Sequence, residues 1–186
     1  MGACAKPPDG STLLQTISDS ATSTAVSIFR ADNTEEIIVA FPGTDSLQDF
    51  LTDFTFFPVN YTDGKTSCAG CQVHSGFYNA YQSIAPAMTR ALDGYVLDYP
   101  QYRVTITGHS LGGALAAVAY PSLKSTTSLP VQQVYTFGQP RVGNAAFANY
   151  VDRLSNSTQD IVGNYFRTTH FYGMYCAHRF CMCMPC

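Results

Sequence analysis

Residues 108–112 read Gly-His-Ser-Leu-Gly and fit the pattern G-x-S-x-G. An unassisted serine hydroxyl is a poor nucleophile, so Ser110 needs a base to take its proton and an acid to orient that base. The flanking sequence is what such a serine requires. "YRVTIT", 102–107, reads as a strand running into Gly108, and "LGGALAAVAY", 111–120, reads as a helix packed by small residues. Glycines at 108 and 112 let strand and helix approach without side-chain collision. The helix N-terminus then aims backbone N–H groups at a developing oxyanion. The plainer alternative is a small-residue turn with a capping serine. A second oxyanion donor should come from a loop after an earlier strand, and "FPGTDS", 41–46, supplies Thr44 with a backbone N–H and a hydroxyl.

The elements that position these residues follow from periodicity. "TAVSIFR", 24–30, alternates as a strand, and "IIVAF", 37–41, reads as a buried one. From Phe77 apolar residues recur three or four apart through Tyr81, Ile84, Met88 and Leu92, a helix that Pro86 should kink or split. "VQQVYTF", 131–137, and "YFRTT", 165–169, are further strands, with the helical "NAAFANYVDRL" between them. Strands alternating with helices predict an α/β fold with a mostly parallel sheet.

The chain has 186 residues and a net charge of −3, with ten Lys and Arg, too few for a nucleic-acid footprint. No apolar run reaches the ~18 residues of a transmembrane segment. The first residues lack the basic start and apolar stretch of a secretion signal. Two glycosylation sequons begin at Asn60 and Asn156, and the thiols of "CAGC", 68–71, could close a small oxidised loop. Both features lean towards a secreted chain.

"FPGTDSLQDF", "CAGCQVHSGFYNAY", "TITGHSLGGALA" and "YTFGQPRVGNAAFANYV" occur in an order and spacing that resembles the fungal class 3 lipases and the related feruloyl esterases, over about residues 10–170. The resemblance implies an α/β-hydrolase fold, secretion, and ester hydrolysis through an acyl-serine, without cofactor or metal. It makes Ser110 the nucleophile, and the Leu111 N–H with Thr44 the oxyanion hole. Leu47, Phe50 and Leu51 fall where the family carries its lid, and Cys68 and Cys71 match a pair that is disulfide-bonded in the feruloyl esterases. His74 and His109 match structural positions. Two departures are Pro42 where the family usually has arginine, and Phe50 where lids often place tryptophan.

The resemblance stops at "FRTTH", 166–170. The triad acid should stand at 173, which is Gly173, and the family's histidine lies further on than this chain reaches. After Ser110 the only acids are Asp152 and Asp160, and the only histidines His170 and His178. Sequence order alone permits a makeshift triad of Ser110, Asp160 and His178 or His170. The expectation is therefore a partial hydrolase domain over 1–170, incomplete at its C-terminal part and nearly inactive, followed by an unrelated tail over 171–186. In that tail Cys176, His178, Cys181, Cys183 and Cys186 resemble soft metal ligands, but their spacing fits no established zinc pattern. Translated intron also fits, since Gly173-Met174-Tyr175 can be encoded with GTATGT. Cys4 matches a family cysteine that pairs near the C-terminus.

The apolar face of Leu47, Phe50, Leu51, Phe54, Phe56 and Phe57 suits a lid opening at a lipid–water interface. It favours acylglycerols over feruloyl esters as substrates. A non-catalytic lipid-binding protein is the alternative from another class.

Overall fold

The structure is a computed structural model that describes residues 7, 10–43, 57–62, 68–126, 129–158 and 161–169. The expectations placed on Cys4, Thr44, Leu47, Phe50, Leu51, Asp160, His170, Gly173, His178 and the 171–186 tail lie outside the described residues.

The first three strands pair with their neighbours in the chain. β1 (Thr12–Asp19) and β2 (Thr24–Ala31) make a hairpin, and β3 (Glu36–Phe41) continues it antiparallel to β2. Then come β4 (Pro58–Asn60), β5 (Gln72–His74), α1 (Ser75–Asp98), β6 (Arg103–His109), α2 (Leu111–Lys124), β7 (Val131–Phe137), α3 (Ala145–Ser155) and β8 (Tyr165–Thr168). The main sheet runs β1-β2-β3-β6-β7-β8, with β3, β6, β7 and β8 mutually parallel. β4 and β5 form a separate antiparallel pair. This is the mostly parallel α/β-hydrolase sheet that the sequence implies.

α1 lies against β1 and β2, and α2 lies against β3, β6 and β7. Between them Val26, Ile28, Ile37, Val39, Val104, Ile106 and Val134 are fully buried. Burial of each such side chain contributes about 1.5–3 kcal/mol, which offsets the ordering entropy of the strands. α2 is buried on every side because it also meets α1 and α3, and its glycines and alanines keep it close to the sheet.

Of the two alternatives for the helix, kinked or split, the second falls away. Pro86 does not split the segment: α1 runs as a single helix of 24 residues through it. Proline removes one N–H, and its ring displaces the carbonyl four residues back. Both Pro86 and Gln82 are exposed, so water can satisfy the freed carbonyl. The stripe of Phe77, Tyr81, Ile84, Met88 and Leu92 on the opposite face stays buried and holds the helix together. β1 is the strand that alternation alone does not reveal. It is an edge strand whose residues are all exposed or half-buried, and its pairing slips between Leu13 and Gln15.

Candidate active site

β6 ends at His109, and Ser110 follows with φ 55° and ψ −119° before α2 begins. A non-glycine residue at such a φ is costly, so the surroundings must hold it there. The Ser110 N–H donates to the Phe137 carbonyl at 2.9 Å, and the Ser110 carbonyl accepts from the Ala114 N–H at 3.1 Å. The residue is thereby tied to β7 on one side and to the helix on the other. The residue is 3 % exposed, and Oγ has no hydrogen-bond partner among the described residues.

The two motif glycines explain why the turn closes so tightly. A Cβ on Gly108 would overlap the Gly112 carbonyl, and one on Gly112 would overlap the Phe41 carbonyl. Helix geometry leaves the first-turn N–H groups of α2, those of Leu111, Gly112 and Gly113, without intrahelical acceptors. The same close packing brings the end of β3 to the serine. A Cβ on Gly43 would lie 3.1 Å from the His109 carbonyl and 3.8 Å from Ser110 Cβ. The loop that continues into Thr44 therefore starts beside the serine.

His74 and His109 are not bases for Ser110 in this arrangement. His74 is buried and caps α1, its Nδ1 accepting the Gly76 N–H at 3.1 Å. His109 is exposed, with its ring beside Gly138. Asp152 sits half-buried in the last turn of α3, and desolvation pushes its carboxyl up to about 6 from an ordinary 3.8. No hydrogen bond joins it to Ser110 or to a histidine among the described residues. The β7 and β8 ends are nevertheless locked together where a triad acid would follow, by the Gly138 N–H on the Thr168 carbonyl at 2.8 Å.

Cys68 and Cys71 form a disulfide. The loop it closes is fastened to α3 by Asn144, whose Nδ2 donates to the Gly70 carbonyl at 2.8 Å. Asn60 is exposed at the end of β4, and Asn156 is exposed as the left-handed C-cap of α3. No cluster of three or more His, Cys, Asp or Glu side chains suited to a metal ion occurs among the described residues.

Two features of the fold escape the motif reading. One is Asn144, whose N-cap role is signalled only by its place before the helical run. The other is a cavity of about 320 Å³ that Gly43 and Leu111 share with the turn between β1 and β2. Its signal is the turn-rich "DSATS", 19–23, and its position depends on the β1–β2 hairpin.

A serine held at positive φ between a parallel strand and a helix N-terminus has the strand–turn–helix geometry on which α/β-hydrolases carry a nucleophile. A sequence model of the family described as "Lipase (class 3)" matches residues 38–171, and the chain belongs to that family. It is 37% identical over 127 residues to a lipase of Rhizomucor miehei, a match covering 67% of this chain and 34% of the relative. It is 31% identical over 162 residues to the secreted mono- and diacylglycerol lipase A of Penicillium cyclopium, covering 87% and 49%. Among solved structures, a lipase from Rhizopus microsporus var. chinensis superposes with a TM-score of 0.75 at 35% identity, covering 86% of this chain and 53% of the other. The chain thus spans a third to a half of the length of these curated relatives.

Proposed function

We propose that this chain carries the nucleophile and oxyanion half of a serine ester hydrolase acting on acylglycerols. The observation that carries this reading is Ser110 itself. A strained backbone and an unpartnered, buried hydroxyl both cost stability, and a nucleophile is the role that repays them. Ser110 Oγ attacks the ester carbonyl. The oxyanion takes the Leu111 N–H, and Thr44, next in the chain after Gly43, supplies the second donor. Leu47, Phe50 and Leu51 belong to the lid over this site. The hydrolase domain comprises residues 1–170, and 171–186 is a separate tail. Secretion is supported by the name of the Penicillium relative, by the disulfide, and by exposed glycan acceptors at Asn60 and Asn156.

With Gly173 at the position where the resemblance expects the triad acid, turnover by the 186-residue chain is expected to be slow. An oxyanion hole and binding alone sustain about 10³–10⁴-fold catalysis over water. A second reading, feruloyl ester hydrolysis, is favoured by the Cys68–Cys71 disulfide, which matches the feruloyl esterases more closely.

Hydrolysis of tributyrin and of methyl ferulate by the chain and by Ser110→Ala tests both. Tributyrin turnover that the chain shows and the variant loses supports the proposal. Preference for methyl ferulate selects the second reading. Equal rates together with no acyl group trapped on Ser110 by an activated ester would remove Ser110 as nucleophile and leave a non-catalytic lipid-binding role.

A further inference from the structure

Exposure alternates along β4 and the residues after it. Pro58, Asn60 and Thr62 are exposed, whereas Tyr61 is buried and donates its hydroxyl to the Val118 carbonyl at 3.0 Å. Asn60 and Thr62 are the first and third residues of the sequon Asn60-Tyr61-Thr62, and they leave the same face about 7 Å apart. Thr62 also lines the head of a groove of about 700 Å³ that runs along α1. The acceptor asparagine therefore stands at the mouth of a groove.

The groove follows one face of the helix. Tyr78, Gln82, Pro86, Thr89 and Asp93 recur three or four residues apart, a stripe about 22 Å long, and Ser122 of α2 borders it. At the head Tyr78 is fixed: its hydroxyl donates to the Thr62 carbonyl at 2.6 Å, and its ring lies edge-on to Tyr61 with centroids 5.8 Å apart. Halfway along, Pro86 has no N–H for the carbonyl of Gln82, and both residues line the groove. An acceptor without its helical donor is thus presented there. The lining holds one acid, Asp93, and one base, Arg90, and so carries no net charge. Hydroxyls, an amide and a bare carbonyl around an aromatic ring suit a neutral chain of hydroxyl-bearing rings. An alkyl chain would strip water from the Gln82 carbonyl without replacing it. An anion would meet Asp93 as well as Arg90.

Resting on the secretion reading above, we propose that Asn60 carries an N-linked glycan whose first sugars lie in this groove against α1, with Tyr78 as their platform. In the attachment step the Asn60 amide nitrogen displaces a lipid-linked diphosphate from the anomeric carbon of the first sugar. A C–N bond replaces a C–O bond, the amide gives up one proton, and the sugar donor and transferase belong to the secretory pathway. Once attached, the sugars donate hydroxyls to the Gln82 carbonyl and exchange hydrogen bonds with the Gln82 amide, Thr89 and Ser122. The covalent tether keeps the sugars at high local concentration, so contacts that are weak one by one hold them.

The full chain is secreted from yeast behind a supplied leader, so its glycosylation does not depend on how the natural protein is exported. Peptide mass spectrometry is expected to find the glycan on Asn60. An endoglycosidase that cuts between the first two sugars should release it at least ten-fold more slowly from the native chain than from the denatured one. In the double variant Gln82→Ala/Thr89→Ala, whose changes lie along the groove, native release is expected to return to within three-fold of the denatured rate. Pro86→Ala gives the Gln82 carbonyl a helical donor again, and should speed native release while raising the melting temperature. Asn60 without a glycan, equal release from native and denatured chains, or slow release that survives these substitutions overturns the inference. Slow, groove-dependent release from the yeast product, with the natural protein retained inside its cells, overturns only the secretion reading.

Discussion

Gly112 lies against the carbonyl of Phe41 so closely that a Cβ on it would overlap both the carbonyl carbon and oxygen. Phe41 ends β3 and Gly112 lies in the first turn of α2, so this contact fixes where the loop after β3 passes relative to Ser110. Gly108 is filled in the same way by the backbone of Gly112 and Gly113. The neighbours here are backbone atoms, which cannot turn aside as a flexible side chain can.

Gly112→Ala and Gly108→Ala are therefore expected to destabilise the fold by about 2–3 kcal/mol, the upper range for overpacking. Gly94→Ala is the internal control. It lies inside α1 with nothing within 4 Å of the new methyl group, and it should stabilise by about 0.5–1 kcal/mol. Urea unfolding of the three variants measures this. A motif variant as stable as the parent would show that the elbow can relax.

Ser110→Gly relieves a backbone conformation that serine adopts reluctantly and removes a buried, unpartnered hydroxyl. Loss of side-chain packing and a more flexible unfolded chain oppose the gain, and the net is an expected stabilisation of about 1 kcal/mol. Ester hydrolysis in the same protein should not exceed the residual rate that an oxyanion hole and binding sustain. A thermal melt below that of the parent would mean that the turn is not strained.

Much of this site is legible in the sequence because its constraints are local. Gly108 and Gly112 mark a close strand–helix approach, and the apolar runs at 37–41 and 102–107 read directly as β3 and β6. The helix over Ser75–Asp98 is also legible from its buried stripe, although Pro86 suggests a break. A proline's effect depends on which face it occupies, and that is set by packing. β1 has almost no buried residues and so little periodic signal, and with it the cavity wall at Ser18–Ser23 is lost to pattern reading. His74 as a helix cap and Asn144 as a bridge depend on contacts between segments far apart in the chain.

Asn144 makes three side-chain hydrogen bonds. Oδ1 accepts from the Phe147 N–H at 3.0 Å and from the Gln72 N–H at 3.2 Å, and Nδ2 donates to the Gly70 carbonyl at 2.8 Å. It caps α3 and anchors the disulfide loop in one side chain. Asn144→Ala should cost about 2–3 kcal/mol, a cap of ~1 kcal/mol plus the unpaired Gln72 N–H. Asn144→Asp keeps both accepted bonds but sets a carboxylate oxygen against the Gly70 carbonyl, and should cost about 1–2 kcal/mol, less than the alanine. Chemical denaturation of both variants orders these effects. Equal losses in the two would assign the whole contribution to Gly70.

Asp152 gives the fold a pH dependence opposite to that of an ion-paired carboxylate. Desolvation raises its carboxyl from 3.8 to about 6, and no salt bridge compensates it among the described residues. Arg153, the next residue, lies over the Tyr150 ring instead. Between pH 4 and 6 the folded protein holds a proton here that the unfolded chain has already released. Stability from this residue is therefore present at low pH and is lost as pH rises through about 6. The group is half-exposed, so solvent screening reduces the penalty at pH 7 to the order of 1 kcal/mol. Asp19 and Asp32 have lowered carboxyls and oppose this trend, so the whole-protein profile does not isolate it. The difference between Asp152→Asn and the parent does. That difference should favour the variant by about 1 kcal/mol at pH 7 and shrink towards zero by pH 4. Urea titrations of both proteins at half-unit pH steps read it directly. A difference that stays constant from pH 4 to 7 would mean that the Asp152 carboxyl titrates alike in the folded and unfolded chains.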